Sequence, residues 1–349
     1  MKKLKNIILL LLILLSFSSC KNNNVEKLYV IFNEMKDQYG DSILIKYKNF
    51  EILVDAGQNE DAEEVSKTIK ENVKDNILDT LILTHPHADH IGGIASGVLS
   101  NSGIKSITTW IDSGTLYSTS SFQIVENIKH SFIDKGTLYH AAYDFFHTEN
   151  LSNRIYLDVD DNVYIDLFDT GEYPLPNSTY QGGNINNVSV TFALNYNNTQ
   201  FFFGGDISKM IEERLENRID KQYFSKDKFT VFKANHHGST GSNSLAMLDI
   251  VSPNMVLISS AISDNNRSQK GVVSSQHPYP AVISRFRYYT NEIYWTGTNG
   301  TFVCSSDGKT CKVEGRGRTI DYYFNNQLVP SLEEKDKPFI ETKWFETGK

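Results

Sequence analysis

The chain contains few cysteines and fewer basic than acidic residues, and each shortage argues against particular classes of protein. Only three of its 349 residues are cysteine, too few for a disulfide scaffold or a cysteine-rich zinc site. Lysine and arginine number 34 against 42 acidic residues, which disfavours a broad nucleic-acid surface, because phosphate binding depends on basic side chains. Hydrophobic residues nevertheless make up 40% of the sequence, enough for a packed core.

Residues 1–20 have the layout of a bacterial secretory signal. A lysine-rich start precedes an unbroken apolar run at 7–15, which is too short to span a bilayer as a helix. Small residues then lead to Cys20, a pattern that resembles the lipobox of bacterial lipoproteins; an ordinary signal with an incidental cysteine is the alternative. Residues 21–27 form a polar tether. We expect a lipid anchor at Cys20 that holds the protein on an envelope membrane, facing the periplasm or the exterior.

The other two cysteines flank a predicted hairpin. Asp307-Gly308 is a favourable two-residue turn, which would place Cys304 opposite Cys311. In an exported protein the two thiols would then be able to form a disulfide, with a reduced pair as the alternative. No further cysteine or histidine lies close in sequence, so a cysteine metal site is not expected here.

Strands and helices follow one another in two blocks between residues 28 and 314. The pattern leaves 112–161 largely unassigned, and 315–349 forms a loosely attached polar extension. Two blocks of strands, each followed by helices, predict two sheets packed face to face with helices outside. The predicted strands cover 28–32, 42–47, 50–54, 78–83, 104–111, 163–168, 188–194, 200–203, 229–233, 255–259 and 292–295; the predicted helices cover 62–73, 122–132, 208–219, 244–251 and 279–290.

The densest group of potential metal ligands directly follows the predicted strand at 78–83. His85, His87, Asp89 and His90 fall within six residues. Imidazole nitrogen and carboxylate oxygen suit zinc and neighbouring divalent metals. Burial of imidazoles at a strand end without hydrogen-bond partners or metal would lower the stability of the fold. We therefore predict a metal site at this strand end.

Two further strand ends carry residues suited to the same chemistry. Phe203 is followed by two glycines and Asp206, and the glycines permit a sharp turn beside the carboxylate. A plain turn or helix cap is the alternative for this segment. The strand at 229–233 leads to His236 and His237. Because adjacent strand residues face opposite sides, only one of these histidines is expected to bind metal. His237 is favoured, and the reverse assignment stays open.

Together these motifs resemble the metallo-β-lactamase superfamily. The segment Gly40–Ile45, the triplet Asn187-Val188-Ser189, Gly-Gly-Asp, His-His-Gly-Ser and a late His-Pro are similar to the hydrolase domain of the ComEC competence-protein family. The order of motifs also resembles the phosphorylcholine esterase catalytic domain. The likeness covers residues 28–314 and implies an α/β (α+β) fold, the four-layer αββα sandwich.

The resemblance implies two bound divalent metal ions, with zinc expected first and Mn²⁺ or Fe²⁺ as alternatives. The implied ligands are His85 and His87 for one ion, Asp89, His90 and His237 for the other, and Asp206 for both. His236 would protonate the leaving oxygen or contact the phosphate. Supporting or substrate-contacting roles are expected for Asp41, Asp55, Asn187, Ser189 and His277, although Asp55 is also explained as a plain turn residue. Many relatives have a further histidine where this chain has Asn186, Asn187 and Ser189, which leaves one ion an open site.

The expected activity is hydrolysis of a phosphodiester by a hydroxide shared between two metal ions. The alternatives are hydrolysis of a lactone, β-lactam or thioester on the same fold, and an inactive metal-binding surface protein. The expected substrate is a small phosphodiester or single-stranded nucleic acid, and no protein partner is predicted. Because the loops at 204–207 and 235–242 contain no lysine or arginine, we expect a small diester to be preferred over duplex DNA.

Overall fold

The computed structural model describes residues 25–36, 39–261, 277–315 and 317–320. The predicted signal, Cys20, the first part of the tether and most of the C-terminal extension lie outside the described residues. Within those ranges no helix combines the length and apolar character needed to cross a membrane.

The first sheet has eight strands in the described part of the chain. In spatial order they are Cys311–Glu314 (β17), Phe302–Ser306 (β16), Leu28–Phe32 (β1), Ile43–Tyr47 (β2), Phe50–Val54 (β3), Ile77–Leu83 (β4), Ser106–Asp112 (β5) and Leu138–Ala141 (β7). Strand β1 is antiparallel to both neighbours, whereas β3, β4, β5 and β7 run parallel. The end of β4, where the ligand motif begins, therefore lies at the carboxyl edge of this parallel part.

The second sheet has seven strands among the described residues. In spatial order they are Ile293–Trp295 (β15), Met255–Ile258 (β14), Phe229–Lys233 (β13), Thr199–Phe203 (β12), Thr191–Tyr196 (β11), Val163–Phe168 (β9) and Arg154–Asp158 (β8). Strands β12 to β15 are parallel, so the ends of β12 and β13 lie at one edge of the sheet. A separate short parallel pair joins Thr115–Leu116 (β6) to Ser178–Thr179 (β10).

The two sheets pack face to face, and helices cover their outer faces. Phe201 and Phe203 of β12 lie in the core between the sheets, whereas Phe202 packs against the outer helices. Burial on both faces explains why these strands are continuous apolar runs rather than alternating ones. The predicted α/β fold with four αββα layers is confirmed. The helices are Ala62–Asn72 (α1), Ala88–Ala95 (α2), Val98–Ser102 (α3), Ser120–Ile133 (α4), Asp144–His147 (α5), Lys209–Glu216 (α6), Leu245–Val251 (α7), Pro280–Tyr289 (α8) and Thr296–Asn299 (α9).

The region at 112–161, which the sequence left largely unassigned, extends both sheets. Strand β7 adds to the edge of the first sheet and β8 to the edge of the second. The helix predicted at 122–132 is present as α4, and its start is fixed by the Thr119 hydroxyl, which accepts a hydrogen bond from the Phe122 amide at 3.3 Å.

The predicted two-residue turn between the cysteines is wrong. Asp307 Oδ1 accepts hydrogen bonds from the amides of Lys309 and Thr310, both at 2.9 Å, and this lengthens the turn. Ser306 consequently pairs with Cys311, and Cys304 pairs with Val313. The two buried cysteines are free thiols rather than a disulfide.

The folded domain continues past the predicted boundary at 314. Thr319 forms a bridge with Tyr294 of β15, and Asn299 Nδ2 donates to the Arg318 carbonyl at 2.7 Å. Ile320 is fully buried in the core under the second sheet. The first residues of the polar extension are therefore packed against the domain.

Candidate metal centre

Three strand ends bring the predicted ligands together at the edge where the two sheets meet. Asp89 and His90 lie on α2 just after β4, Asp206 follows β12, and His237 follows β13. One ligand atom from each of these four residues lies within 4.8 Å of the others. The ligands thus come from both sheets of the sandwich, and the turns between strand and helix aim them at one point.

The carboxylate of Asp206 is the centre of this cluster. Its Oδ2 atom lies 3.3 Å from His90 Nε2 and 3.3 Å from His237 Nε2. Asp89 Oδ2 is 3.4 Å from His237 Nε2. Among the described residues, His90 Nε2, His237 Nε2 and Asp206 Oδ1 are buried without a hydrogen-bond partner. Buried polar atoms normally have partners, so these donors fit a divalent cation of the zinc type.

His85 and His87 lie beside the same cluster. The rings of His85 and His90 are 4.1 Å apart, and His85 Nε2 lies 3.1 Å from His87 Nδ1. Burial lowers the pKa of both His85 and His87, in each case with a further lowering by the charge of His90. Neutral imidazoles at adjacent positions are suited to bind a second ion.

Asp55 contacts His90 on the side of the ring that faces away from the cluster. Its Oδ2 atom lies 2.7 Å from His90 Nδ1 and accepts a hydrogen bond from the Thr84 hydroxyl, while its Oδ1 accepts from the Thr84 amide. Complete burial raises the pKa of the Asp55 carboxyl, against the opposing effect of His90. A carboxylate at Nδ1 orients the ring so that Nε2 faces the centre.

Asp41 supports His237 in a similar way, together with a lysine that the sequence reading missed. Asp41 Oδ1 lies 3.4 Å from His237 Nδ1, and the Ser259 carbonyl lies 3.0 Å from the same nitrogen. Burial opposes ionisation of Asp41, but the paired Lys233 ammonium, His237 and His90 together outweigh it and lower the Asp41 pKa to about 2. Lys233 is almost fully buried at the end of the otherwise apolar β13. A lysine at the end of a strand of buried residues was the feature of the sequence from which its role could have been predicted.

Charge inside the cluster is balanced by the ligands themselves. Burial lowers the pKa of His90 and His237, but the surrounding carboxylates, Asp206 first among them, together outweigh it and raise both well above the usual imidazole range. Burial likewise opposes ionisation of Asp206, and His237 and His90 hold its pKa well below the usual carboxyl range. A bound cation would displace protons from these imidazoles, as expected for metal ligands.

His236 and His237 lie in a turn rather than on a strand. Strand β13 ends at Lys233, and both histidines have left-handed backbone conformations, with φ of 48° and 53°. The alternation argument for choosing between them therefore does not apply. The turn nevertheless separates them, because His237 is fully buried in the cluster and His236 retains 28% side-chain exposure at its mouth. His236 Nε2 lies 3.7 Å from Asp206 Oδ2, and burial lowers its pKa.

Of the two residues predicted before β11, Ser189 lies at the centre and Asn187 does not, whereas Asn186, which was not predicted to have a role, lies beside His236. Ser189 Oγ accepts a hydrogen bond from the Asp206 amide at 3.1 Å and lies 3.4 Å from His85 Nδ1. Asn186 Nδ2 lies 3.5 Å from His236 Nε2. Asn187, which the sequence reading placed near the site, instead accepts a hydrogen bond from the Ser208 amide at 3.4 Å before α6. The 3₁₀ turn at Ile185–Val188 rotates the two asparagines apart.

His277 lies beside His236 at the rim of the cluster. Its ring is 5.2 Å from that of His236 and 5.3 Å from that of Tyr39. Burial, together with the nearby His237 and His236, lowers the His277 pKa to about 3. A neutral ring at this position can close one side of the mouth without repelling a cation below it.

Glu212 on α6 holds the His236–His237 loop and was not identified from the sequence. The side chain is fully buried. Its Oε1 accepts hydrogen bonds from Asn235 Nδ2 and the Asn243 amide, and its Oε2 accepts one from the Ser244 amide, all at 2.7 Å. Three donors from a loop that begins after β13 thus converge on one carboxylate. The sequence gives no signal for this, because Glu212 belongs to an acidic, amphipathic helix.

Replacement of Glu212 by glutamine is expected to lower the free energy of unfolding by about 3 kcal/mol. The amide group would face a backbone N–H, so one charge-assisted bond is lost and a buried donor is left without an acceptor. Denaturant titration measures the change, and Glu216→Gln on the exposed side of α6 is the matched control. Equal stability of the two variants would contradict this role.

The sequence model of the metallo-beta-lactamase superfamily matches residues 35–104, which include the motif from His85 to His90. This part of the chain is therefore similar to the metallo-beta-lactamase superfamily. Similar solved structures include the metallo-beta-lactamase fold protein YhfI from Bacillus subtilis, with 11% identity over 80% of this chain and 100% of that chain and a TM-score of 0.45. The short form of human tRNase Z is 14% identical over 66% of this chain and 91% of that chain, with a TM-score of 0.40. None of the curated proteins gives a significant match.

Proposed function

We propose that this protein is a binuclear metal-dependent hydrolase that cleaves phosphodiesters. The observation that carries the proposal is the Asp206 carboxylate, whose Oδ2 lies 3.3 Å from both His90 Nε2 and His237 Nε2 while its Oδ1 is buried without a hydrogen-bond partner. A carboxylate at that point is able to contact two ions at once. Fully buried support from Asp55 and Asp41 fixes the histidines that would share the ions with it.

The candidate ligands form two sets, one for each proposed ion. His85 and His87 would hold one ion, Asp89, His90 and His237 would hold the other, and Asp206 would contact both. When bound, such ions lower the pKa of water and stabilise the charge of a phosphoryl group under attack. The residues of this chain would orient the substrate around them and exclude competing water.

His236 is the residue placed to act on the substrate itself. It is the partly exposed histidine of the pair, and its Nε2 lies within 4 Å of both Asp206 Oδ2 and Asn186 Nδ2. An imidazole N–H there can donate a hydrogen bond to a phosphoryl oxygen or pass a proton to the leaving oxygen. Asn186, Asn187 and Ser189 occupy the place where many relatives of the fold carry a further histidine, which favours a phosphodiesterase over a β-lactamase-type site.

A substrate panel tests the proposal. Bis-p-nitrophenyl phosphate, nitrocefin and a simple lactone would be assayed with protein reconstituted separately with Zn²⁺, Mn²⁺ and Fe²⁺. We expect turnover of the phosphodiester, and its loss in the presence of chelator. Preferential cleavage of nitrocefin or the lactone would overturn the substrate class. Stoichiometric metal uptake without turnover of any of the three would favour the inactive surface protein.

A further inference from the structure

A groove lies directly beside the metal centre and includes none of its ligands. Its volume is about 330 Å³, within the range of small-molecule sites. The short pair of β6 and β10 forms its frame. Thr115 Oγ1 joins the two strands, since it donates to the Ser178 carbonyl at 3.2 Å and accepts from the Tyr180 amide at 3.1 Å. The groove is therefore a built feature between two chain segments that are far apart in sequence.

Two walls of this groove lead to the residues at the mouth of the site. The ring of Tyr117 lies 5.8 Å from the ring of His87. On the other side, Ile185 directly precedes Asn186, whose amide lies 3.5 Å from His236. A substrate whose phosphorus reaches the ligand cluster would extend one of its ester groups into this groove.

The groove lining selects the chemistry of that group. Leu116, Tyr117, Tyr180 and Ile185 dominate it, and the other three lining residues are a serine, a threonine and a glycine. None of these seven residues is charged, so a second phosphate would find no cationic partner. The nearby Glu172 is already paired with Arg214 and accepts the Tyr180 hydroxyl at 2.6 Å, which leaves no free carboxylate to balance a cationic headgroup.

We infer that this groove binds an uncharged, flat organic group of the size of a nucleobase, attached to the phosphodiester that is cleaved. The inference rests on the proposed function and names its substrate class. Aromatic side chains stack on the face of any base without reading its sequence, which fits a lining of two tyrosines. Leu116 and Ile185 supply apolar contact at the edges.

The position of Tyr180 depends on Gly182. A Cβ atom added at Gly182 would lie 1.9 Å from the Tyr180 hydroxyl oxygen. Gly182→Ala is therefore expected to displace the ring from its bond to Glu172 and alter the groove without removing a side chain. Tyr156, half exposed on the edge strand β8, lines no part of the groove and provides a matched control for tyrosine removal.

The first test compares two diesters that differ only by a base. Methyl thymidine 5′-phosphate and its abasic counterpart share the sugar, the phosphate and the methyl ester. We expect kcat/KM for the thymidine diester, divided by kcat/KM for the abasic diester, to fall about tenfold in Tyr117→Ala, because one stacking contact is worth about that factor. The same ratio should also fall in Gly182→Ala. The ratio should be unchanged in Tyr156→Ala. An unchanged ratio in both groove variants would overturn the inference.

The second test measures binding without chemistry. Equilibrium dialysis of the full chain with thymidine, and separately with choline, reports occupancy of the groove whether or not any diester is cleaved. Thymidine binding that weakens about tenfold in Tyr117→Ala supports the groove even if the substrate panel finds no phosphodiesterase activity, so the two proposals fail separately. Choline binding that depends on Tyr117, with no binding of thymidine, would overturn the inference and show that the groove binds a quaternary ammonium instead.

Discussion

Asp206→Ala is expected to leave the purified protein with almost no bound metal and with turnover reduced at least about a thousandfold. The reason is geometric: Asp206 Oδ2 lies 3.3 Å from the His90 and His237 nitrogens of one proposed ion site, and the buried, unpartnered Oδ1 remains for the ion proposed at His85 and His87. Removal of a ligand to one ion would leave the other in place, whereas removal of the shared ligand weakens both. Elemental analysis of protein purified without chelator, with activity measured on the same sample, gives both quantities.

Two comparisons make this result specific. Asp227→Ala removes an exposed carboxylate from the surface and should retain full metal content and activity. Asp89→Ala should lose about one ion per chain, because Asp89 approaches only the half of the cluster that contains His237 and His90. Full metal content in Asp206→Ala would show that this carboxylate does not bind the ions.

His236→Ala and His237→Ala are expected to fail in different ways. His236 is partly exposed at the mouth, so its loss should lower kcat by about a hundredfold to a thousandfold while metal content stays the same. His237 is buried against Asp89 and Asp206, so its loss should remove one ion and activity together. Both variants need the same two measurements, elemental analysis and kcat for bis-p-nitrophenyl phosphate.

Circular dichroism and thermal unfolding serve as the control for this pair, because a damaged loop would lower stability as well as activity. Loss of metal in His236→Ala with retention in His237→Ala would invert the assignment of the two residues. Equal metal loss in both variants would mean that the loop binds as a unit and that neither residue has a separate catalytic role.

The fold could be predicted from sequence because its strands are long apolar runs separated by clear turn residues. Each of the strand ends that meet at the centre could also be identified from the sequence, since a cluster of histidines or Gly-Gly-Asp follows directly after an apolar strand. Local pattern was enough for these features because hydrophobic periodicity and the ligand residues occupy adjacent positions in the chain.

Features that depend on tertiary contacts were predicted less well. The register around Cys304 and Cys311 is set by the Asp307 side chain, which lengthens the turn beyond the two residues that Asp-Gly favours. The separate positions of Asn186 and Asn187 come from a short 3₁₀ turn with no distinctive sequence. Glu212 and Lys233 are buried only because the loop after β13 folds over α6 and Asp41 lies opposite. Such partners are distant in sequence and leave no periodic signal.

Because the proposed ligands come from both sheets, metal binding would also stabilise the contact between the two blocks of the chain. His85, beside the motif of the first sheet, already contacts Ser189 from the second block across 104 positions of sequence. A cation shared by Asp89, Asp206 and His237 would join the two blocks in the same way. In the ligand assignment proposed above each ion needs residues from both blocks, so an ion bound only when the blocks are docked adds its binding energy to the stability of the sandwich. The order in which a refolding chain acquires metal would therefore report when its two halves close on each other.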